Sequence, residues 1–265
     1  MELGKVGLNV NGDISEEIVA DRSAIADRLG IPIWIGELDC LDPFETAKIV
    51  AEHTSTPITI FCSPSRRNCN EIKSRLIDLK RKYDNDIILT LVPGRSRKIS
   101  YLVDCLRWLK DELNVPILVG CSGERLMAIA SKFADGLVLN YCDLRPTGVF
   151  TACYVASLIM PSRLYNELIL SSAAMLSNKL KLNVDFKYIV KNRDCLKIPK
   201  EIAEISKILV DHTISGSVDE VTKKIVRVLN ICDHVILGTP FFRDDRSIKS
   251  LKTIVNLVES IGGLI

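Results

Sequence analysis

At 265 residues, 47% hydrophobic, with a formal net charge of +2, the chain can bury one large core and is close to charge balance. The bases Arg66, Arg67, Lys73, Arg75, Lys80, Arg81 and Lys82 are interleaved with Glu71, Asp78 and Asp84, and aromatics are only 6%, so a nucleic-acid partner is not expected. The longest apolar run, Val149 to Met160, is too short to cross a bilayer and carries Thr151 and Ser157, so no membrane partner is expected either.

In chain order, apolar runs predict strands near Val6–Asn11, Ile33–Glu37, Ile58–Cys62, Ile87–Val92, Ile117–Gly120, Leu137–Tyr141, Thr151–Met160 and Val235–Gly238. Most are separated by helical patterns. Asp42-Pro43-Phe44-Glu45 combines an N-cap with proline at the first helical position, and Ser217-Val218-Asp219-Glu220 reads as a capping box. Continuous apolar strands such as Ile87-Ile88-Leu89 and Val235-Ile236-Leu237 imply a parallel sheet covered on both faces. Roughly eight such units predict an α/β fold, a (β/α)8 TIM barrel forming one domain over 1–265, with an open doubly wound sheet as the alternative.

One connection is too short. Between Tyr141 and Thr151 there is no room for a crossover helix. Either the sixth helix is missing, or the Thr151–Met160 strand joins irregularly, or that segment is itself helical. The stretch from Pro161 to Ser215 is long for one unit and should hold two or more helices, including Ser162–Leu180 and Pro199–Val210.

Nine cysteines with no secretory leader predict a reducing, cytoplasmic setting in which the thiols act as small buried apolar side chains. The odd number argues against a complete disulfide framework. No Cys-x-x-Cys pair exists and His53, His212 and His234 are far apart, so no metal site is expected.

In a barrel the site forms where strands end. Glu37 would place a carboxylate over an apolar floor, where desolvation raises a pKa; the plainer role is as a partner for Arg95 or Arg66. Asn9 and Asn140 either hydrogen-bond a flat heterocycle or cap the next turn. Ser63-Pro64 is a candidate cis peptide beneath a ligand. Arg95, Arg97 and Lys98, after Pro93-Gly94, either meet an anionic tail or face water. Gly120-Cys121-Ser122-Gly123 joins a strand to a helix N-terminus. Such a turn is either a phosphate seat or only a tight connection. Cys121 at that N-terminus is a candidate for a depressed thiol pKa, although backbone lining is the simpler role.

The order and spacing of several segments resemble the bacterial-luciferase-like superfamily of flavin- and deazaflavin-dependent oxidoreductases. Within it the chain is most similar to the archaeal methylenetetrahydromethanopterin reductases. The segments are Lys5-Val6-Gly7-Leu8, Ile33-Trp34-Ile35-Gly36-Glu37, Val92-Pro93-Gly94-Arg95, Pro116 to Gly123, Ala134 to Asn140, Ile214 to Glu220 and Asp233 to Pro240. The resemblance implies 8-hydroxy-5-deazaflavin (coenzyme F420) or FMN, with its ring against a cis peptide at Cys62-Ser63 or Ser63-Pro64. The phosphate tail would lie at Gly94 and Gly120–Gly123. It also implies hydride transfer to a small substrate such as a pterin-type methylene carrier, and a homodimer.

The departures are specific. Asn9 stands where the reductases carry a glutamate, and Glu37-Leu38 where they carry an Asp-His pair, leaving Glu37 as the matched acid at the mouth. The alternatives are therefore a shortened member that binds cofactor or a partner without turnover, and an FMN monooxygenase.

Overall fold

The computed structural model describes residues 3–37, 42–94, 99–184, 186–192 and 196–262. Among the described residues there are nine strands: β1 (Val6–Asn9), β2 (Ile33–Ile35), β3 (Ile58–Cys62), β4 (Ile87–Leu91), β5 (Ile117–Cys121), β6 (Gly136–Asn140), β7 (Thr151–Ile159), β8 (Ile214–Gly216) and β9 (His234–Gly238). Eight of them close on themselves. The order β1 to β7 continues directly to β9, which pairs back onto β1, and each neighbouring pair is parallel. This is a (β/α)8 TIM barrel, as the run of buried strands predicts.

Side-chain alternation divides each strand between two apolar layers. On β3, Ile58, Ile60 and Cys62 face the helices, whereas Phe61 joins Trp34, Ile88, Leu118, Val138 and Ile236 inside the barrel. The outer layer is covered by α1 (Glu16–Arg28), α2 (Pro43–Ala51), α3 (Cys69–Lys82), α4 (Ile99–Glu112), α5 (Glu124–Phe133), α10 (Val218–Leu229) and α11 (Asp245–Gly262). Both predicted helix starts are present. Asp42 accepts from the Phe44 amide at 2.9 Å, and Ser217 and Glu220 form the reciprocal capping box.

The barrel floor is sealed by a buried pair. The Trp34 indole donates to His234 Nε2 at 3.0 Å, and His234 Nδ1 lies 2.5 Å from the Gly4 carbonyl. Only glycine fits beside them, since a Cβ at Gly7 would lie 2.4 Å from both His234 Nε2 and Trp34 Nε1. Burial pulls the His234 pKa down to about 4, so the imidazole is neutral, with Nδ1–H donating and Nε2 accepting.

Of the three ways to connect β6 with β7, the structure takes the missing helix. A single 3-10 turn at Tyr141–Asp143 is followed by an irregular segment that brings the chain back to the start of β7. An extended backbone advances about 3.3 Å per residue against 1.5 Å in a helix, so it recrosses the barrel in fewer residues. Leu144 and Val149 of this segment pack on the outer core in place of a helix.

The run from Pro161 to Ser215 forms α6 (Tyr165–Leu180), α7 (Phe186–Lys191), α8 (Lys200–Glu204) and α9 (Ser206–Asp211) around a small core of its own, including Ile169, Leu170, Ile189, Ile202 and Leu209. The helix expected over Pro199–Val210 is thus two short ones. The strand β8, absent from the sequence-predicted set, pairs in register only with the upper part of β7, Ser157 to Ile159. Three residues ending in Gly216 are too few to show a period.

The cysteines depart from expectation at one place. Cys69 of α3 and Cys105 of α4 are joined by a disulfide, while Cys62, Cys121, Cys153 and Cys232 are buried thiols as expected. The two partners lie on adjacent amphipathic helices, 36 residues apart in sequence, and only the fold reveals that their faces meet. Among the described residues no group of histidine, cysteine and acid side chains is placed to hold a metal ion, and no helix is long and apolar enough to cross a membrane.

Candidate active site at the barrel mouth

A cavity of about 290 Å³ opens at the carboxyl ends of the strands. Its floor is a polar cluster. The Asn9 amide donates to the Trp34 carbonyl at 2.8 Å and to Asn11 Oδ1 at 3.0 Å. Its carbonyl accepts from Asn11 Nδ2 at 3.2 Å, the Tyr154 hydroxyl at 3.2 Å and Thr239 Oγ1 at 3.4 Å. Asn11 Oδ1 also takes the Gly36 amide at 2.8 Å. Both polar ends of Asn9 are therefore engaged, which fixes the β1 end rigidly.

The walls are largely apolar, from Phe61, Val92, Pro93 and Val138. Phe61 stacks in an aromatic column, 5.9 Å from Trp34 and edge-on to Tyr154 at 6.5 Å between centroids. Burial raises the Tyr154 phenol above its ordinary range, so at neutral pH it stays a hydrogen-bond donor.

Glu37 reaches the cavity edge, but its carboxylate is braced. Oε2 accepts from the Ser63 amide at 2.6 Å, and Oε1 is ion-paired to Arg67; the side chain is 2% exposed. Arg67 also meets Asp42 at 3.4 Å and Glu71 at 3.6 Å. Of the arginines named beside Glu37, Arg66 donates to its backbone carbonyl at 3.2 Å, and Arg95 lies outside the described residues. The brace clamps the end of β3 to the start of α3. Ser63 in turn pairs with Ser65 at 2.7 Å. Gly94 passes so close that a Cβ would lie 2.2 Å from Ser63 Oγ, and its φ of +61° independently demands glycine.

Among the other residues proposed for cofactor contact, Gly120, Cys121, Ser122 and Asn140 line the cavity. Asn140 lines the cavity and makes no side-chain cap to the turn that follows, and among the described residues its amide has no hydrogen-bond partner. Cys62 points into the helix–sheet layer and burial pushes its thiol up. Ser63 and Pro64 are buried just beneath the mouth, and Gly94 and Gly123 lie at the exposed rim. Burial pushes the Cys121 thiol up to about 12, so the expected depression is absent; its thiol donates to the Val119 carbonyl at 3.5 Å. The cis peptides among the described residues are Met160-Pro161 and Thr239-Pro240, which corrects the placement at Cys62-Ser63 or Ser63-Pro64. Sequence patterns did not single out Phe61, Val138 or Tyr154. Their signal lies in strand alternation, which marks them as inward-facing once β3, β6 and β7 are in register.

Taken together, the mouth offers a mostly apolar slot, one unengaged amide, a rigid floor and an exposed helix N-terminus at Ser122-Gly123. Such an arrangement suits binding and orienting a planar group more than acid–base chemistry by a free carboxylate.

No protein-family model and no curated protein sequence matches the chain. Solved structures do. An F420-dependent secondary alcohol dehydrogenase, in complex with an F420–acetone adduct, superposes with a TM-score of 0.71 at 12% identity, covering 97% of this chain and 99% of that one. The EDTA monooxygenase of Chelativorans sp. BNC1 gives 0.66 at 10% identity, with 98% and 95% covered. The glycerol dehydrogenase of Gluconobacter oxydans gives 0.52 at 12% identity, with 96% and 87% covered. At these identities the likeness establishes the shared barrel fold.

Proposed function

We propose that the chain is a luciferase-like oxidoreductase that binds 8-hydroxy-5-deazaflavin or FMN at the barrel mouth. The observation that carries this reading is the slot between Phe61, Val92, Pro93 and Val138, with the unengaged Asn140 amide on its wall. A flat tricyclic ring fits such a site, because the walls are apolar and the polar groups few. The neighbours that cover nearly the whole chain support it, one of them named as F420-dependent and another as a monooxygenase.

The ring would supply the hydride chemistry. The protein's residues do the rest. Phe61 and Val138 exclude water, Asn140 sets orientation by hydrogen bonding, and the Ser122-Gly123 turn receives an anionic tail at the start of α5. Asn9 and Tyr154 hold the floor. Glu37, with both oxygens occupied, positions the Ser63 backbone. The resemblance alone extends this to a pterin-type methylene carrier, a homodimer and a cytoplasmic setting.

Titrating the purified protein with each cofactor should give saturable quenching of cofactor fluorescence, and Asn140→Ala should weaken binding about five- to tenfold, the value of one hydrogen bond. Lack of saturation with both cofactors overturns the proposal. The braced state of Glu37 favours a second reading, a member that binds cofactor without turnover. Tight binding with no reduction of any carbonyl or pterin substrate would select it.

A further inference from the structure

Two loops that build the rim of the mouth are tied together just behind it. The Ser63–Asn68 turn runs straight into α3 at Cys69, and the Pro93-Gly94 loop leads to α4, whose second turn carries Cys105. Cys69 and Cys105 are joined as a disulfide with their Cα atoms 5.8 Å apart, the ordinary spacing for such a bond. They are 36 residues apart in sequence, and the chain between them includes β4 and Gly94. The loops also touch directly: Ser65 Oγ donates to the Pro93 carbonyl at 3.4 Å, and Gly94 packs against Ser63. On the same side Arg67 braces Glu37, and Asn68 caps α3 by accepting from the Glu71 amide at 2.9 Å. Other ties between the two helices, Lys73 with Glu112 and Lys73 5.4 Å over the Trp108 ring, lie further along both of them.

The two sulfurs differ in access. Cys69 is partly exposed between the exposed Asn68 and Asn70, whereas Cys105 is 2% exposed and packed in the outer core. A thiolate arriving from solvent therefore meets Cys69 first. In the reducing setting proposed for this chain, a disulfide is ordinarily transient and redox-sensing rather than a permanent staple.

We propose that the Cys69–Cys105 bond is a lock on the rim of the mouth, opened at Cys69 by a protein dithiol of the Cys-x-x-Cys class, and that opening it loosens the Ser63–Asn68 turn and the Pro93-Gly94 loop together. The attacking thiolate bonds to Cys69 Sγ, the S–S bond breaks, and its electron pair leaves on Cys105 Sγ, which takes up a proton. The second thiol of the reductant then attacks its own partner sulfur in the mixed disulfide and releases Cys69 as a thiol. The chain gains two electrons and two protons, and the dithiol loses them as it becomes a disulfide. Calling this a control of ligand entry rests on the mouth being the cofactor site; the lock itself does not.

Two measurements test it without cofactor, so they stand or fall apart from the proposed function. A thioredoxin whose second active-site cysteine is replaced by serine should be trapped on the native chain as a mixed disulfide at Cys69, mapped by peptide mass spectrometry. Trapping at Cys105, or no trapping, overturns the proposal. Hydrogen exchange of the Arg66, Arg67, Glu71 and Val92 amides, all hydrogen-bonded at the rim, should be about tenfold faster in the dithiothreitol-reduced chain than in the oxidised one, with the Leu8 and Val10 amides unchanged. Cys105→Ser should match the reduced chain without any reductant. Equal exchange at the rim in the oxidised and reduced native chains overturns the proposal whether or not that variant folds.

Discussion

His234 is sealed between the Trp34 indole and the Gly4 carbonyl, and accepting the indole N–H at Nε2 requires a neutral ring. Its pKa is lowered by burial to about 4, from an ordinary 6.5. The unfolded chain therefore takes up this proton at higher pH than the folded one. Stability from this group is complete above about pH 6.5 and drains away as pH falls through about 4, by up to about 3 kcal/mol. Urea midpoints across that interval should show the decline, and His234→Gln, with no proton to accept, should flatten it. Arg67→Met strands a 2%-exposed carboxylate and should cost about 3 kcal/mol, whereas Glu37→Gln keeps an acceptor for Ser63 and should cost about 1. Thermal unfolding that ranks the two the other way would show that Glu37 is not a brace.

Among the elements, the helix-free return from β6 to β7 carries the most testable weight. Val149 replaces part of a missing helix against the outer core, so Val149→Asp should destabilise by about 2 kcal/mol. Arg145, in the same segment, makes an exposed pair with Glu124 at 3.0 Å and a long bond to the Asp143 carbonyl at 3.4 Å, and Arg145→Ala should cost no more than about 1 kcal/mol. Chemical denaturation of both variants checks the contrast. The gap at Tyr141–Thr151 was readable in the sequence, because a parallel crossover has a minimum length that those residues do not meet. What fills the gap was not, since Leu144 and Val149 follow neither a helical nor a strand period. The same lack of period hid β8. The disulfide at Cys69 and Cys105 was hidden for a different reason, as it depends on how two helices face one another.

For the whole molecule, eight buried apolar strands, most of them separated by helical patterns, made the barrel legible, since each run of apolar residues is the signature of a strand covered on both faces. The mouth was legible to the extent that strand ends define it: Asn9, Glu37, Gly120, Ser122 and Asn140 do meet around one cavity. The state of each group was not legible. The sequence leaves Glu37 open between a desolvated acid and an arginine's partner, and only the fold shows Arg67 and Ser63 occupying its oxygens; for Cys121 the fold adds the burial that agrees with backbone lining.

The direct pairing of β7 with β9 has a consequence for how the chain tolerates change. Because the wall is already complete between Ala152–Ala156 and His234–Gly238, β8 leans on an overhang and supports no part of the ring. Everything from Pro161 to Gly216 is then an excursion with its own small core. This appendage can lengthen, shorten or change shape while the circle of strands beside it stays shut.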